Sequence, residues 1–226
     1  QPIQAISELL ADKPTISFHV DAVQALAKIP TEKYLTERVN FATFSSHKFH
    51  GVRGVGFVYI KSGKKITPLL TGGGQERDYR STTENVAGIA ATAKALRLAM
   101  EKLDIFTSKT GQMKSVIRQA LLDYPDIFVF SDEKGFAPHI LTFGIKGVRG
   151  EVIVHAFEDY DIFISTTSAC SSKAGKPAGT LIAMGVDKDK AQSAVRLSLD
   201  LENDMSQVEQ FLTKLKLIYN QTRKVR

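Results

Sequence analysis

Two side chains in this sequence become nucleophiles once deprotonated and sit in stretches suited to that chemistry. One is Lys48, in Ser45-Ser-His-Lys48; the other is the single cysteine, Cys170, in Ser168-Ala-Cys-Ser-Ser172. Withdrawal from water disfavours an ammonium, and the free amine condenses with a carbonyl to form a Schiff base. Beside Lys48, the hydroxyls of Ser45 and Ser46 and the imidazole of His47 offer groups for an anion such as a phosphate. The plainer reading of Thr43–Gly51 is a surface turn that happens to hold lysine and histidine. Around Cys170 the residues are small and polar, and Lys173 and Lys176 favour the thiolate, the reactive form. The alternative is a cysteine buried as a small hydrophobe. Asp21 closes the run Thr15-Ile-Ser-Phe-His-Val20, and a carboxylate at the carboxyl end of a parallel strand stands where α/β ligands bind. It also suits the N-cap of a following helix. Arg196 interrupts the apolar run Ala194-Val-Arg-Leu-Ser-Leu199. Its charge cannot be shed, so it needs an anion: a substrate carboxylate gripped by two hydrogen bonds, or a structural ion-pair partner.

Elements with regular patterning must hold these groups. Ile3, Ile6, Leu9 and Leu10 have helical spacing, and Thr15–Val20 alternates like a strand. A short helix over Ala22–Ala27 precedes Pro30, and strands over Val39–Phe44 and Val55–Ile60 flank the Lys48 turn. Ile66–Leu70 reads as a further short strand before the glycines Gly72–Gly74. From Asn85 the period is helical, with Val86, Ile89, Ala90, Ala93, Leu96 and Met100 on one face expected to be buried. A second helix runs from Ile105 to Leu122, with strands at Ile127–Phe130 and His139–Phe143. A helix over Glu151–Tyr160, a strand over Asp161–Ser165 and the cysteine stretch Thr166–Gly179 follow. A short helix at Leu181–Met184, a strand at Gln192–Leu199 and a helix from Met205 to Tyr219 close the chain. The alternation predicts an α/β fold: residues 1–103 as part of a larger, mainly parallel-sheet domain, and residues 104–226 as a smaller α+β domain.

Of 226 residues, 43% are apolar, enough to bury one large core or two small ones. No apolar run approaches the ~20 residues that span a bilayer. A single cysteine excludes an internal disulfide and points to a reducing, cytoplasmic setting. The start, Gln1-Pro2-Ile3-Gln4, has no signal-type pattern and no Met, so the sequence is expected to begin inside a longer protein. The net charge of +6 gathers partly in Lys214, Lys216, Arg223, Lys224 and Arg226. No aromatic-studded basic stripe accompanies them, so a solvated helix face is expected rather than nucleic-acid binding. One cysteine and five scattered histidines make no zinc site. Gly51-Val-Arg-Gly-Val-Gly56 does not fit the dinucleotide fingerprint, and no phosphate-binding G-x-x-x-x-G-K-[ST] occurs.

Five segments, in order, carry a resemblance: His19-Val-Asp-Ala-Val-Gln24, Ser45-Ser-His-Lys48, Gly72–Arg77 with Arg80-Ser-Thr-Thr83, Ser168-Ala-Cys-Ser-Ser172, and Val195-Arg-Leu-Ser-Leu199. Together they resemble the cysteine desulfurases, class-V members of the fold-type-I pyridoxal phosphate enzymes, over essentially the whole chain. The resemblance implies pyridoxal 5'-phosphate as cofactor, with Lys48 as the Schiff-base lysine. It implies Asp21 as partner of the pyridine nitrogen, Gln24 at the ring hydroxyl, Ser45 and His47 as phosphate ligands, and Thr83 reaching the cofactor of a second subunit in a homodimer. Arg196 would hold the carboxylate of L-cysteine, and Cys170 would take its sulfur as a persulfide, leaving L-alanine.

The acceptor of that sulfur would be a partner protein, an iron–sulfur scaffold or a tRNA-thiolation enzyme. The family also has residues ahead of the first one here, which carry a phosphate-binding turn and a ring-stacking imidazole. The chain as given is therefore expected to bind cofactor weakly and to be inactive alone. After Leu199 this sequence has Asp-Leu-Glu-Asn203, where the family often has Gly-Arg. A selenocysteine lyase or another class-V enzyme, and a non-catalytic sulfur-relay protein, are the competing readings.

Overall fold

The computed structural model describes residues 1–131, 135–166 and 179–224. The chain divides into two compact units, Gln1–Asp104 and Ile105–Arg226.

The first unit begins with helix α1 (Ile3–Leu9) and builds a three-stranded sheet from β1 (His19–Asp21), β2 (Phe41–Ser45) and β3 (Gly56–Ile60). β1 pairs parallel with β2, placing His19 beside Phe41 and Asp21 beside Thr43. β2 pairs antiparallel with β3, placing Ser45 opposite Gly56. Side chains alternate across the sheet: Val20, Ala42 and Phe44 are buried, while His19, Asp21, Thr43 and Ser45 share the other, more open face. Phe44 stacks on Phe57 with ring centres 4.8 Å apart. Val20, Leu26, Tyr34, Val39, Phe44 and Phe49 form the core, and Ala95, Leu96 and Ala99 of α2 (Val86–Glu101) pack on it. Asn85 caps α2, its Oδ1 accepting from the Gly88 amide at 3.0 Å.

Four expectations for this unit are corrected. Ala22–Ala27 forms hydrogen-bonded turns rather than a helix, because Ala27 adopts a left-handed φ of 58° and breaks the ladder. The first strand starts only at His19; ahead of it, side chains replace the ladder, with the Phe18 amide donating to Asn40 Oδ1. Ile66–Leu70 forms no strand, and Leu69 is 95% exposed. Helix α2 turns its Thr92, Ala95, Leu96 and Ala99 side inward and leaves Val86 and Ile89 exposed, with Ala90, Ala93 and Met100. Apolar residues surround this helix almost completely, so periodicity alone does not choose the buried face.

Residues 10–16 are held by one arginine. Arg38 Nε donates to the Leu10 carbonyl (2.8 Å), Nη2 to the Lys13 and Ile16 carbonyls (2.7 and 2.5 Å), and Nη1 to Asn40 Oδ1 (2.9 Å). No shorter or neutral side chain reaches all four acceptors. Arg38→Met is expected to lower the unfolding free energy by about 2–3 kcal/mol, the loss of charge-assisted bonds partly offset by rehydration of the carbonyls. Urea unfolding would show it as a lower midpoint at unchanged slope.

The second unit carries helix α3 (Leu103–Leu122, beginning at the boundary), strands β4 (Ile127–Val129) and β5 (Ile140–Ile145), and helix α4 (Gly150–Glu158). Strand β6 (Ser165–Thr166), helices α5 (Gly179–Ala183) and α6 (Lys188–Gln192), strand β7 (Ala194–Ser198) and helix α7 (Met205–Lys224) follow. The strands pair antiparallel in the order β4-β5-β7-β6. One sheet face sends Leu141, Phe143, Ile145, Val195 and Leu197 into a core completed by α3, α4 and α7. There Phe157 and Phe211 stack with centres 5.0 Å apart, and Phe143 meets Phe211 edge-on. The strand expected over Asp161–Ser165 shrinks to Ser165–Thr166, with Asp161 at a φ of 57° closing the turn after α4.

Candidate active site

In the first unit, Asp21 and Ser45 end the parallel neighbours β1 and β2, and the turn with Lys48 follows directly. This is the carboxyl edge of a parallel pair, where α/β proteins bind ligands. Asp21 Oδ1 accepts the Val23 amide at 3.1 Å, which leaves Oδ2 without a partner among the described residues. His19 Nε2 lies 3.2 Å from Thr43 Oγ1 on the same sheet face. Gln24 is exposed in the turns after β1.

Beyond Ser45 the chain enters a 3₁₀ turn, Ser46–Phe49, with Phe49 sealed into the core. His47 is exposed, and Lys48 is partly buried with no hydrogen bond or ion pair among the described residues. The turn ends at His50, whose φ of 64° is left-handed, and the Gly51 amide donates back to the Ser46 carbonyl at 3.0 Å. Gly51 is required there: a Cβ would lie 1.9 Å from Ser46 Oγ. Ser46 itself is fully buried, and its hydroxyl is bonded to Thr92 Oγ1 at 2.9 Å. It is therefore not an anion ligand, unlike the reading open to it in the sequence. Thr92 was not singled out there; a threonine among the alanines of α2 is the only trace it leaves.

Thr83 is exposed in the segment before α2. In the second unit, Arg196 on β7 stands opposite Thr142 of β5 and Ser165 of β6. Its Nε is buried without a hydrogen-bond partner among the described residues. Cys170 lies outside the described residues. Among those residues no group of His, Cys, Asp and Glu could hold a metal ion, and no helix is long and apolar enough to cross a membrane.

A lysine amine without a competing partner among the described residues, a carboxylate with an oxygen likewise unpartnered and a hydroxyl at one strand edge fit the donor set that pyridoxal phosphate needs. The structure as a whole aligns with that of a NifS-like protein at a TM-score of 0.84 and 35% identity, over 97% of this chain and 57% of that one. A NifS-like protein from Rickettsia africae aligns at the same score with 28% identity, over 97% of this chain and 58% of that one. These likenesses define a fold-type-I α/β protein. Residues 1–211 match the aminotransferase class-V family, and the chain belongs to it. That family works in general with pyridoxal phosphate.

A NifS/IcsS protein homolog from Lactobacillus delbrueckii subsp. bulgaricus is 49% identical over all of this chain and 59% of its own length. The cysteine desulfurase IscS of Clostridium botulinum is 35% identical over all of this chain and 57% of its own. The chain thus spans less than two thirds of the curated relatives it matches.

Proposed function

We propose that this chain supplies the Schiff-base lysine, the ring-nitrogen carboxylate and the catalytic thiol of a pyridoxal phosphate-dependent cysteine desulfurase. The observation that carries the reading is the grouping of Asp21, Ser45 and Lys48 at the carboxyl edge of β1 and β2. When bound, pyridoxal phosphate supplies an electron sink for the carbon adjacent to the substrate amine. Asp21 would pair with the ring nitrogen and keep it protonated, and Gln24 would bond the ring hydroxyl. Ser45 and His47 take the phosphate. Lys48 would hold the cofactor covalently, and its free amine would serve as the base for the proton on the substrate α-carbon.

Arg196 grips the carboxylate of L-cysteine. The Cys170 thiolate attacks the substrate sulfur; the S–S bond forms as the carbon–sulfur bond breaks, and alanine remains once the β-carbon takes a proton and the α-carbon regains the one held by Lys48. Sulfur is left on Cys170 as a persulfide for an acceptor protein, such as an iron–sulfur scaffold or a tRNA-thiolation enzyme. Thr83 would reach the cofactor of a second copy in a homodimer, and its exposure ahead of α2 is compatible with that contact.

The direct test assays alanine and sulfide from L-cysteine under excess reductant, using a protein of the relatives' full length that contains this chain and is loaded with cofactor. Stoichiometric alanine and sulfide are expected; no alanine from the loaded protein refutes the reading. Arg196→Ala should raise KM for cysteine by about thirty- to a hundred-fold, the worth of a charge-assisted bidentate pair, with a smaller fall in kcat. An unchanged KM would return Arg196 to a structural role.

A further inference from the structure

The turn that presents Lys48 is anchored from outside by one buried contact. Thr92 Oγ1 is hydrogen-bonded both to the Gly88 carbonyl of its own helix, at 2.7 Å, and to Ser46 Oγ, at 2.9 Å. Ser46 is 0% exposed and Thr92 6%. Two hydroxyls in an apolar interior cost desolvation that their mutual bond only roughly offsets, and a valine facing an alanine would pack in the same space without that cost. What the polar pair adds is direction: a satisfied buried network fixes one arrangement where apolar packing tolerates several. The arrangement fixed here is that of the 3₁₀ turn, which Gly51 lets close onto Ser46 and which carries Lys48 two residues beyond it. The other inward residues of α2, Ala95, Leu96 and Ala99, pack against the apolar cluster.

We infer that Thr92 is a positioning residue for Lys48, holding the lysine's turn through Ser46 so that the amine meets the cofactor carbonyl at a fixed angle. The inference rests on Lys48 being the Schiff-base lysine. Thr92→Val keeps the shape, removes the hydroxyl and strands that of Ser46. In the cofactor-binding protein it is expected to weaken pyridoxal phosphate binding by about tenfold. It should also shift the pH midpoint of the visible Schiff-base band. Thr92→Ser, which keeps the hydroxyl, is expected to restore both. Ser46→Ala, which leaves the Thr92–Gly88 bond intact, is expected to weaken binding as Thr92→Val does, and serves if Thr92→Val does not fold.

Thermal unfolding of the cofactor-free variants separates stability from positioning. A lower melting temperature with wild-type affinity and wild-type band midpoint overturns the inference and makes Thr92 a packing residue. Borohydride trapping of the wild-type cofactor on a different lysine overturns the reading of Lys48, and with it this one, so the two failures are told apart.

Discussion

Lys48→Ala is expected to leave no borohydride-reducible adduct between the protein and pyridoxal phosphate. The lysine sits in the turn that immediately follows β2, partly buried, with no hydrogen bond or ion pair among the described residues. Nothing in the described structure competes with a carbonyl for its amine. Lys61, beyond the far end of β3, is hydrogen-bonded to the Glu37 carbonyl. On the proposed function, the substitution would remove the covalent tether and also the base for the α-proton. Any residual turnover with externally added cofactor should fall by about a hundred- to ten-thousand-fold, the range for a positioned acid–base group. Mass spectrometry of the reduced, digested protein reads the adduct directly. An adduct that persists on another lysine would show that the covalent link lies elsewhere.

Cys170→Ser should separate binding from sulfur transfer. Its hydroxyl is not ionised near neutral pH and is a poor nucleophile toward sulfur, whereas a thiol beside Lys173 and Lys176 is biased toward the thiolate. The variant is expected to show the same cofactor spectrum and the same spectral response to cysteine as the wild type. It should release no sulfide under reductant and accept no sulfur label. Normal sulfide release would make the cysteine a bystander and move the reading toward a lyase that needs no protein thiol.

Much of this architecture could be read from the sequence because long, regular patterns dominate it. Helices α3 and α7 and the strands on either side of Lys48 fall within a few residues of their expected places, each set by a strong apolar period. Failures occur where one residue or one distant contact decides. Ala27 breaks a good helical pattern by taking a left-handed φ that alanine seldom adopts. Residues 66–70 have strand-like composition but no neighbour to pair with among the described residues. The short helix α6 has no counterpart in the predicted elements, and it ends on Gln192, where a strand is expected to begin.

For the candidate site, residue types at Asp21, Ser45 and Lys48 announced their chemistry, and their shared strand edge followed from the parallel pairing. The Thr92–Ser46 bond had no such signal. The two lie 46 positions apart, and neither type is unusual in its own segment.

The strand order of the second sheet also bears on how the protein is assembled during synthesis. Asp21, Ser45 and Lys48 come from neighbouring segments of the first unit, so closing the loops that gather them costs little chain entropy. A nascent chain can complete that cluster while later residues are still being made. β7 is different: it inserts between β5 and β6, both of which leave the ribosome earlier. Until β7 arrives, β6 has no ladder partner among the described residues. The pairing of Ser165 with Arg196 fixes β6 and seats the arginine in the same event. β7, the last strand among the described residues, thus closes the β6 edge and brings Arg196 into the sheet at once, so a chain interrupted before it would lack both the pairing of β6 and the arginine.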